Sequence, residues 1–331
     1  MTTSPLANPT ATREMLEAFG LATKHRLGQN FLIDNHVIER IMDLAELTGS
    51  ERVLEVGPGI GTLTLALVQG AGRVTSIEMD SELEPVLSAH AIEHANFNFI
   101  MGDALAVPPA QIAEALGGEP ELLVANLPYN VAATIILQFF QAMPSLKRAV
   151  VMVQKEVADR IAAIAGTKAY GAYTVKFSLY GEVTGRFEVP PRCFMPAPHV
   201  DSAVVRIDRV DRLSSLAAGR VDATCGTDAP VSMESSDGIP VCDLSWGREG
   251  ASVSAPVEAP SAEGIARVVD AAFAQRRKTI RNSMSSNGFD KAALDAAFAQ
   301  CGIAPTARAE ILSTSDFMRL AEALAAASAL S

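Results

Sequence analysis

The chain has 331 residues, of which 49% are hydrophobic and 20% are charged, so it is long enough for two domains and can bury a large core. Because no apolar run reaches the roughly 18 residues that a membrane-spanning helix needs, we expect no membrane segment, and the N-terminus lacks the pattern of a signal peptide. The net charge of −11 argues against a polyanionic partner as far as the whole chain is concerned.

The first two thirds of the chain alternate between strand-like and helix-like segments. Residues 1–23 are predicted to form a mobile or weakly helical lead-in, and the first amphipathic helix pattern follows at 37–47. Strands are predicted at 52–57, 73–80, 97–103, 121–126 and the start of 149–163, with helices at 62–70, 81–94, 109–117 and 131–142. This alternation is typical of an α/β fold with a parallel, doubly wound sheet.

The last third of the chain changes character twice. Two β-rich runs at 173–189 and 201–210 are joined by a short connection and predict an antiparallel hairpin at the sheet edge. Ser, Ala, Gly, Pro and Asp then dominate, and residues 211–263 carry nine acidic residues and three arginines, a net charge of −6. We therefore predict a disordered acidic insertion at 211–262, followed by a small all-α domain at 263–331.

The segment LEVGPGIGT at 54–62 joins the first predicted strand to a helix. Its three glycines, Gly57, Gly59 and Gly61, let the backbone turn tightly and approach a ligand closely. The spacing E-x-G-x-G-x-G differs from the dinucleotide fingerprint G-x-G-x-x-G. The loop therefore favours a nucleoside ligand over a pyrophosphate cofactor.

Two acidic residues end the next two predicted strands. A carboxylate at Glu78 can accept hydrogen bonds from both hydroxyls of a ribose, and Asp103 can accept one from an adenine amino group. Each residue taken singly is more typical of a turn or a helix cap. Because the carboxyl ends of parallel strands share one edge of the sheet, the two acids and the glycine loop together predict a ligand site.

The pentapeptide NLPYN at 126–130 follows the fourth predicted strand and completes a set of motifs that resembles a known family. The arrangement resembles the Rossmann-like S-adenosylmethionine-dependent methyltransferases, and more specifically the ribosomal RNA adenine N6,N6-dimethyltransferases of the KsgA type. The resemblance covers about residues 20–210 and 263–325. The motifs are RLGQNFLID at 26–34, EVGPGIGTLT, IEMD, GDAL, NLPYN, CFMPAPHVDSAVVR at 193–206 and FAQRRKTIRNSM at 273–284.

The family resemblance implies a function and a catalytic domain at 24–210. Such enzymes transfer two methyl groups from S-adenosyl-L-methionine to each of two adjacent adenosines, in a hairpin loop near the 3′ end of 16S rRNA, during small-subunit biogenesis. We expect a monomer in the cytoplasm. The resemblance implies cofactor contacts from Gln29, Asn30, Leu32, Gly57, Glu78, Asp103 and Asn126, and Gly59 and Gly61 belong to the same cofactor loop.

The acceptor chemistry explains why an amide and an aromatic side chain follow this strand. Adenine N6 is a poor nucleophile, so positioning dominates the catalysis. Asn126 offers an amide oxygen to the amino group, and the Leu127 carbonyl is a second acceptor because Pro128 favours an extended residue before it. The Tyr129 ring can stack on the base, a contact worth about 1–3 kcal/mol. The resemblance adds Phe194 as a second stacking wall.

Two basic clusters predict contacts with RNA phosphates despite the overall acidity. Residues 275–281 contain four basic residues and no acidic one, a pattern also typical of a solvated helix face. The resemblance implies that the C-terminal helical domain helps to dock the small subunit. The predicted RNA-binding residues are Lys24, Arg26, Arg276, Arg277, Lys278 and Arg281.

Alternative functions remain open at this point. A related macrolide-resistance methyltransferase would modify large-subunit rRNA, and a non-catalytic assembly factor could retain the fold. His90 and His94 are spaced as a metal pair would be, but no third ligand is evident and no metal is predicted. The scattered cysteines Cys193, Cys225, Cys242 and Cys301 contain no C-x-x-C pair, so reduced thiols are expected.

Overall fold

The computed structural model describes residues 4–21, 29–217 and 261–329. The chain divides into two units, Met1–Arg212 and Leu213–Ser331. The helices of the first unit are α1 Pro9–Ala18, α2 Asn35–Ala45, α3 Thr64–Gly70, α4 Glu84–Glu93, α5 Pro109–Leu116, α6 Ala132–Ala142, α7 Lys155–Ile161 and α8 Ala172–Ser178. Its strands are β1 Phe31–Leu32, β2 Arg52–Val56, β3 Arg73–Glu78, β4 Phe97–Met101, β5 Leu122–Asn126, β6 Arg148–Gln154, β7 Gly181–Val189, β8 Phe194–Met195 and β9 Ser202–Arg209.

The first unit is built on a seven-stranded sheet with the order β4-β3-β2-β5-β6-β9-β7. Strands β2 to β6 pair in parallel, whereas β9 is antiparallel to both of its neighbours, β6 and β7. The strand order reverses between β2 and β5, and ligands bind at such a switch point, outside the carboxyl ends of the strands. The α/β Rossmann-like prediction is therefore confirmed.

The central strands are apolar because helices cover both faces of the sheet. Residues 149–153 of β6 are completely buried, and strands buried on both faces read as continuous apolar runs rather than alternating ones. One core cluster contains Leu54, Ile112 and Phe139, and the other contains Ile38, Val53 and Leu67 on the opposite face. Two packed layers of helices thus hold the carboxyl ends of the strands in fixed positions.

The predicted strand at 173–189 is wrong in its first part. Residues 172–178 form helix α8, and only Gly181–Val189 is a strand. The backbone N–H of Gly171 donates to Thr174 Oγ1 at 3.3 Å, and Phe177 packs edge-to-face on Phe140 at 5.7 Å between ring centroids. Tertiary packing thus overrides the strand preference of β-branched and aromatic residues. The antiparallel pairing of the two late runs is confirmed, with β7 at the edge.

The N-terminal lead-in contains a helix, which agrees with the second of the two alternatives predicted for it. Helix α1 begins after Asn8, whose side chain accepts a hydrogen bond from the Ala11 N–H at 2.8 Å. Leu6 and Leu16 are buried in a cluster with Phe31. Because those side chains leave water, the described residues 4–21 pack into the first unit, of which they are a part.

Helix α9 Arg212–Ala217 lies at the boundary between the two units and inside the predicted disordered insertion. The start of that insertion is therefore helical. The rest of the prediction, at 218–260, lies outside the described residues. Four further helices follow in the second unit: α10 Ala262–Phe273, α11 Ile280–Ser286, α12 Lys291–Cys301 and α13 Thr314–Ala329.

The helical pattern at 263–284 is interrupted between α10 and α11. Thr279 accepts a hydrogen bond from the Asn282 N–H at 3.4 Å and thereby starts α11. Buried Phe317 of α13 meets Phe273 of α10 at 5.6 Å between ring centroids. Within the described ranges, no helix is both long and apolar enough to cross a membrane.

Candidate active site

A cavity of about 270 Å³ lies at the carboxyl ends of β2, β3 and β5. It is lined by the glycine loop, by the ends of the strands and by two segments on either side of them. Its walls include Gln29, Asn30, Phe31, Leu32, Glu55, Gly57, Gly59, Thr62, Glu78, Met79, Asp80, Asp103, Asn126, Leu127, Pro128, Tyr129 and Asn130. Most of the predicted cofactor and acceptor residues therefore share one cavity.

The glycine loop has the left-handed backbone that its glycines predict. The φ angles are +69° at Gly57, +60° at Gly59 and +90° at Gly61, a region in which side chains other than glycine are strained. A Cβ on Gly59 would stand 3.1 Å from the Phe31 ring. The loop is thus closely packed as well as tightly turned.

His90 of helix α4 supports the glycine loop. Its ring is 5% exposed, and its Nε2 lies 3.0 Å from the Ile60 carbonyl oxygen. Across the described ranges, no group of three or more His, Cys, Asp or Glu side chains is placed to hold a metal ion. The supporting role of His90 has no local signal in the sequence, because the contact joins residues 30 positions apart.

Glu78 ends β3 with its carboxylate held by three backbone N–H groups. Its Oε1 accepts from Met79 at 2.8 Å and from Asp80 at 2.9 Å, and its Oε2 accepts from Gly59 at 3.2 Å. Burial raises its pKa, although these N–H donors act in the opposite direction. The hydrogen bonds fix the carboxylate at the cavity wall beside the loop.

Glu55 is a second buried acid of the cavity, and it was not among the residues predicted from the sequence. It is 1% exposed, and burial raises its pKa to about 7. Its Oε2 accepts from the hydroxyls of Thr64 at 2.7 Å and Ser76 at 2.6 Å. The sequence did contain a signal for this residue, because Glu55 stands between Leu54 and Val56 in an apolar strand. A carboxylate is rarely buried in such a strand unless it has hydrogen-bonding or charged partners.

Four carboxylates line the cavity, those of Glu55, Glu78, Asp80 and Asp103. No Lys, Arg or His is among its lining residues, as far as residues 4–21, 29–217 and 261–329 are concerned. Asp103 is exposed, and its Oδ1 accepts from the Leu105 N–H at 2.9 Å. Burial favours the neutral form of Glu55 and Glu78 by raising their pKa values, but with acidic groups and no described basic group in its lining the cavity still suits a cationic ligand better than an anionic one.

The segment 29–32 crosses the cavity between two strand ends. Gln29 Nε2 donates to Asp80 Oδ2 at 2.7 Å, after the end of β3. Asn126 Nδ2, at the end of β5, donates to the Asn30 carbonyl oxygen at 3.4 Å. Because the amide nitrogen faces Asn30, the amide oxygen of Asn126 faces away from it.

Leu127 and Pro128, which follow Asn126, each make a backbone hydrogen bond to a different element. The Leu127 N–H donates to the Met152 carbonyl at 3.0 Å, and its side chain is 1% exposed. The Pro128 carbonyl accepts from the Ala132 N–H at 3.0 Å, which starts α6. The loop thus has a fixed backbone, and partly buried Tyr129 lies in its middle.

Phe194 does not reach this cavity in the structure. Its ring is 2% exposed and belongs to the core, because β8 pairs with β1 and places Phe194 opposite Leu32. Phe194 is thus enclosed by core side chains in this structure, and its role as a second stacking wall stays a prediction.

The predicted RNA-binding residues differ in their surroundings. Arg276, Arg277 and Lys278 are exposed beyond the end of α10, and Arg276 Nε lies 3.8 Å from Glu310 Oε2. Arg281, in contrast, donates two hydrogen bonds to the Asp295 carboxylate at 2.5 and 2.6 Å. Its guanidinium is therefore paired within its own unit. Lys24 and Arg26 lie outside the described residues.

Comparison with known proteins gives consistent matches. The ribosomal RNA adenine dimethylase family model matches residues 20–218. Ribosomal RNA small subunit methyltransferase A of Corynebacterium jeikeium (strain K411) is 37% identical over 320 residues, which covers 96% of this chain and 95% of the relative.

Two solved structures are similar over most of their length. A dimethyladenosine transferase from Plasmodium falciparum has a TM-score of 0.63 at 21% identity and covers 88% of this chain and 95% of its own, which shows the fold alone. The 23S rRNA methyltransferase ErmE has a TM-score of 0.57 at 25% identity, with 89% of this chain and 99% of its own covered.

Proposed function

This chain belongs to the ribosomal RNA adenine dimethylase family and is an rRNA adenine dimethyltransferase of the small ribosomal subunit; we propose that S-adenosylmethionine is its methyl donor. We further propose that its acceptors are two adjacent adenosines in a hairpin loop near the 3′ end of 16S rRNA. The enzyme acts as a monomer in the cytoplasm.

The observation that carries this proposal is that one cavity joins the glycine loop to the acceptor loop. Glu78 of β3 and Asn126 of β5 line the same space, although they lie on either side of β2. A nucleoside held at Glu78 therefore has its other end directed toward Asn126. The methyl donor and the methyl acceptor can meet there without a further rearrangement of the sheet.

The cofactor end of the cavity fits a positively charged nucleoside. Glu78 presents its fixed carboxylate to the ribose hydroxyls, and Asp103 presents its own to the adenine amino group. The backbone of Gly57 to Gly59 leaves room for the methionine part, with Gln29, Asn30 and Leu32 closing the opposite side. Acidic side chains with no basic group among the described lining residues favour a sulfonium cation.

The acceptor end of the cavity fits an extruded adenine. The amide oxygen of Asn126 and the Leu127 carbonyl accept hydrogen bonds from the N6 amino group, and the Tyr129 ring supports the base. Stacking of about 1–3 kcal/mol per base is comparable with the few kcal/mol that extruding a base costs. A single-stranded hairpin loop lowers that cost because the base is already unpaired.

When bound, S-adenosylmethionine supplies an electrophilic methyl group on its sulfonium sulfur. Asn126 and Leu127 would hold the acceptor N6 through its amino hydrogens and leave the nitrogen lone pair free to take the methyl group, whose former bonding electrons would remain on the sulfur. The methylated nitrogen becomes acidic as it gains positive charge, and its proton leaves to solvent. Positioning of this kind is worth about 7–11 kcal/mol of the barrier at most.

The exposed cations of the second unit supply the remaining affinity for RNA. Arg276, Arg277 and Lys278 lie close together in sequence and are accessible to phosphates. Lys24 and Arg26 act in the same way at the N-terminal side. Phosphate contacts orient the substrate, whereas the cavity selects the base.

Methyl transfer from labelled cofactor to under-methylated small subunits, followed by mapping of the modified nucleotides, tests this function. We expect dimethylated adenosines at two adjacent positions of 16S rRNA and none on large subunits in the same assay. Label on large-subunit rRNA alone would favour the macrolide-resistance activity, and failure to bind the cofactor in calorimetry would favour a non-catalytic factor.

A further inference from the structure

The hydroxyl group of Tyr129 contacts strand β9, which is not the strand that leads into the loop of Tyr129. Its hydroxyl oxygen lies 2.6 Å from Ser202 Oγ. Tyr129 follows β5, whereas Ser202 is the first residue of β9, and β6 lies between these two strands. One hydrogen bond thus spans the end of β6 and joins the acceptor loop to the antiparallel part of the sheet.

Ser202 is a rigid anchor for this bond. It is 0% exposed, and it pairs with Gln154 of β6 on one side and with Val189 of β7 on the other. Tyr129, in contrast, is only partly buried and belongs to the loop between β5 and α6. The sheet therefore fixes the position of Ser202, and Ser202 in turn restrains the more mobile Tyr129 side chain.

This arrangement restricts the aromatic ring where a base would stack. The backbone holds the Cα end of Tyr129, because the flanking Pro128 carbonyl is bonded into the start of α6. Ser202 holds the phenol end. With both ends held, the ring cannot swing between rotamers, and its face stays at the wall of the cavity.

We propose that Ser202 is a positioning residue for methyl transfer, which acts by holding the Tyr129 ring against the target adenine. The inference rests on the proposed stacking role of Tyr129. Ser202 does not touch the substrate itself. Losing its hydroxyl leaves the ring free to leave the stacking position, so fewer encounters bring N6 into line with the methyl group.

A purely structural role for Ser202 makes a different prediction. A buried hydroxyl with a purely structural role would contribute only to the free energy of unfolding. Thr174 is such a residue, because it is buried and its hydroxyl donates to the Arg160 carbonyl at 2.8 Å. Removing such a bond lowers the melting temperature and leaves the rate of methyl transfer per folded enzyme unchanged. The two roles therefore separate in single-turnover kinetics.

The test compares Ser202→Ala, Tyr129→Phe and the double variant with the wild type, and uses Thr174→Val as the matched control. Single-turnover methyl transfer to under-methylated small subunits is measured at saturating S-adenosylmethionine. We expect each single variant to be about 3- to 10-fold slower, as the net value of one hydrogen bond implies. The double variant should be no slower than the single ones, because both remove the same bond.

Cofactor affinity, measured by calorimetry, should stay within about twofold of wild type in all of these variants, because the bond lies at the acceptor end of the cavity. Thr174→Val should melt earlier and transfer methyl groups at the wild-type rate. If Ser202→Ala does not fold, Tyr129→Phe decides alone, since it removes the same hydrogen bond from a partly buried loop residue.

Wild-type rates in both single variants would overturn the positioning role, and so would effects that multiply in the double variant. Neither result would touch the proposed function as long as the wild type still methylates small subunits. A wild-type protein that transfers no methyl group would instead remove the proposed function, and the role of Ser202 with it.

Discussion

The imidazole of His90 lies directly against the backbone of Gly61, so that a Cβ on this glycine would stand 2.8 Å from the ring. The same imidazole is within hydrogen-bonding distance of the neighbouring Ile60 carbonyl. Helix α4, which carries His90, therefore restricts the position of the glycine loop. The proposed approach of the cofactor to this loop therefore depends on His90, which does not line the cavity.

Replacing Gly61 should therefore impair cofactor binding. Gly61→Ala introduces a methyl group that collides with the His90 ring and also strains the backbone, since φ is +90°. We expect the Kd for S-adenosylmethionine, measured by calorimetry, to rise at least about tenfold, which corresponds to about 1.4 kcal/mol.

Gly288 provides a matched control because it has the same φ of +90°, and no heavy atom lies within 4 Å of the place that a Cβ would take there. Gly288→Ala should lower the free energy of unfolding by the backbone strain of about 1–2 kcal/mol and leave cofactor affinity unchanged. Equal losses of cofactor affinity in both variants would mean that the contact with His90 is unimportant.

Glu55 should make the stability of the cofactor-free enzyme depend on pH. Its folded-state pKa of about 7 lies above the ordinary value of 4.5, because burial outweighs the hydrogen bonds from Ser76 and Thr64. The folded state therefore holds the proton more tightly than the unfolded state does. Below pH 4.5 this group carries no penalty, and as the pH rises through 7 it destabilises the fold by up to about 3 kcal/mol.

The variant Glu55→Gln isolates this effect because the amide keeps an oxygen for Thr64 and Ser76 but does not titrate. Between pH 5 and pH 8, urea unfolding should show the wild type losing stability relative to Glu55→Gln. Parallel pH profiles for the two proteins would show that Glu55 does not titrate in this range.

The sequence predicted the parts of the structure that depend on local pattern. The glycine loop, the strand ends at Glu78 and Asn126 and the parallel sheet all follow from periodicity and turn chemistry. The run at 173–178 was misjudged because its β-branched and aromatic residues prefer strands, and only packing against Phe140 makes it helical. The burial of Phe194 could not be predicted for a similar reason, since its pairing with Leu32 across more than 160 positions has no local signal.

The cations of the second unit should contribute unequally to RNA binding. Arg277→Ala and Lys278→Ala should each weaken binding to small subunits and reduce the slope of log Kd against log salt by up to about one, as lost phosphate contacts do. Arg281→Ala should leave this slope unchanged, because its guanidinium is bonded to Asp295. Filter-binding titrations at several salt concentrations distinguish them, and a reduced slope for Arg281→Ala would show that the ion pair opens on the ribosome.

Asn126 should matter for the methyl transfer step more than for cofactor binding. Its amide oxygen is the proposed acceptor for the adenine amino group, whereas its amide nitrogen makes a single 3.4 Å contact with the Asn30 carbonyl. We expect Asn126→Ala to slow single-turnover methylation by at least about 100-fold, the size of effect seen when one such positioned polar group is removed from an active site. The Kd for S-adenosylmethionine should rise by no more than about tenfold, since the contacts of Glu78 and the glycine loop remain.

Asn96→Ala is the matched control, because this amide also donates to backbone carbonyls, those of Val68 at 2.9 Å and Ala71 at 3.2 Å, but lies outside the cavity. It should unfold at a lower temperature and retain the wild-type rate of methylation. Full activity in Asn126→Ala would remove the proposed acceptor role of this residue. A complete loss of cofactor binding would instead assign Asn126 mainly to the cofactor, because the methylation defect would then follow from an empty cofactor site and not from a misplaced adenine.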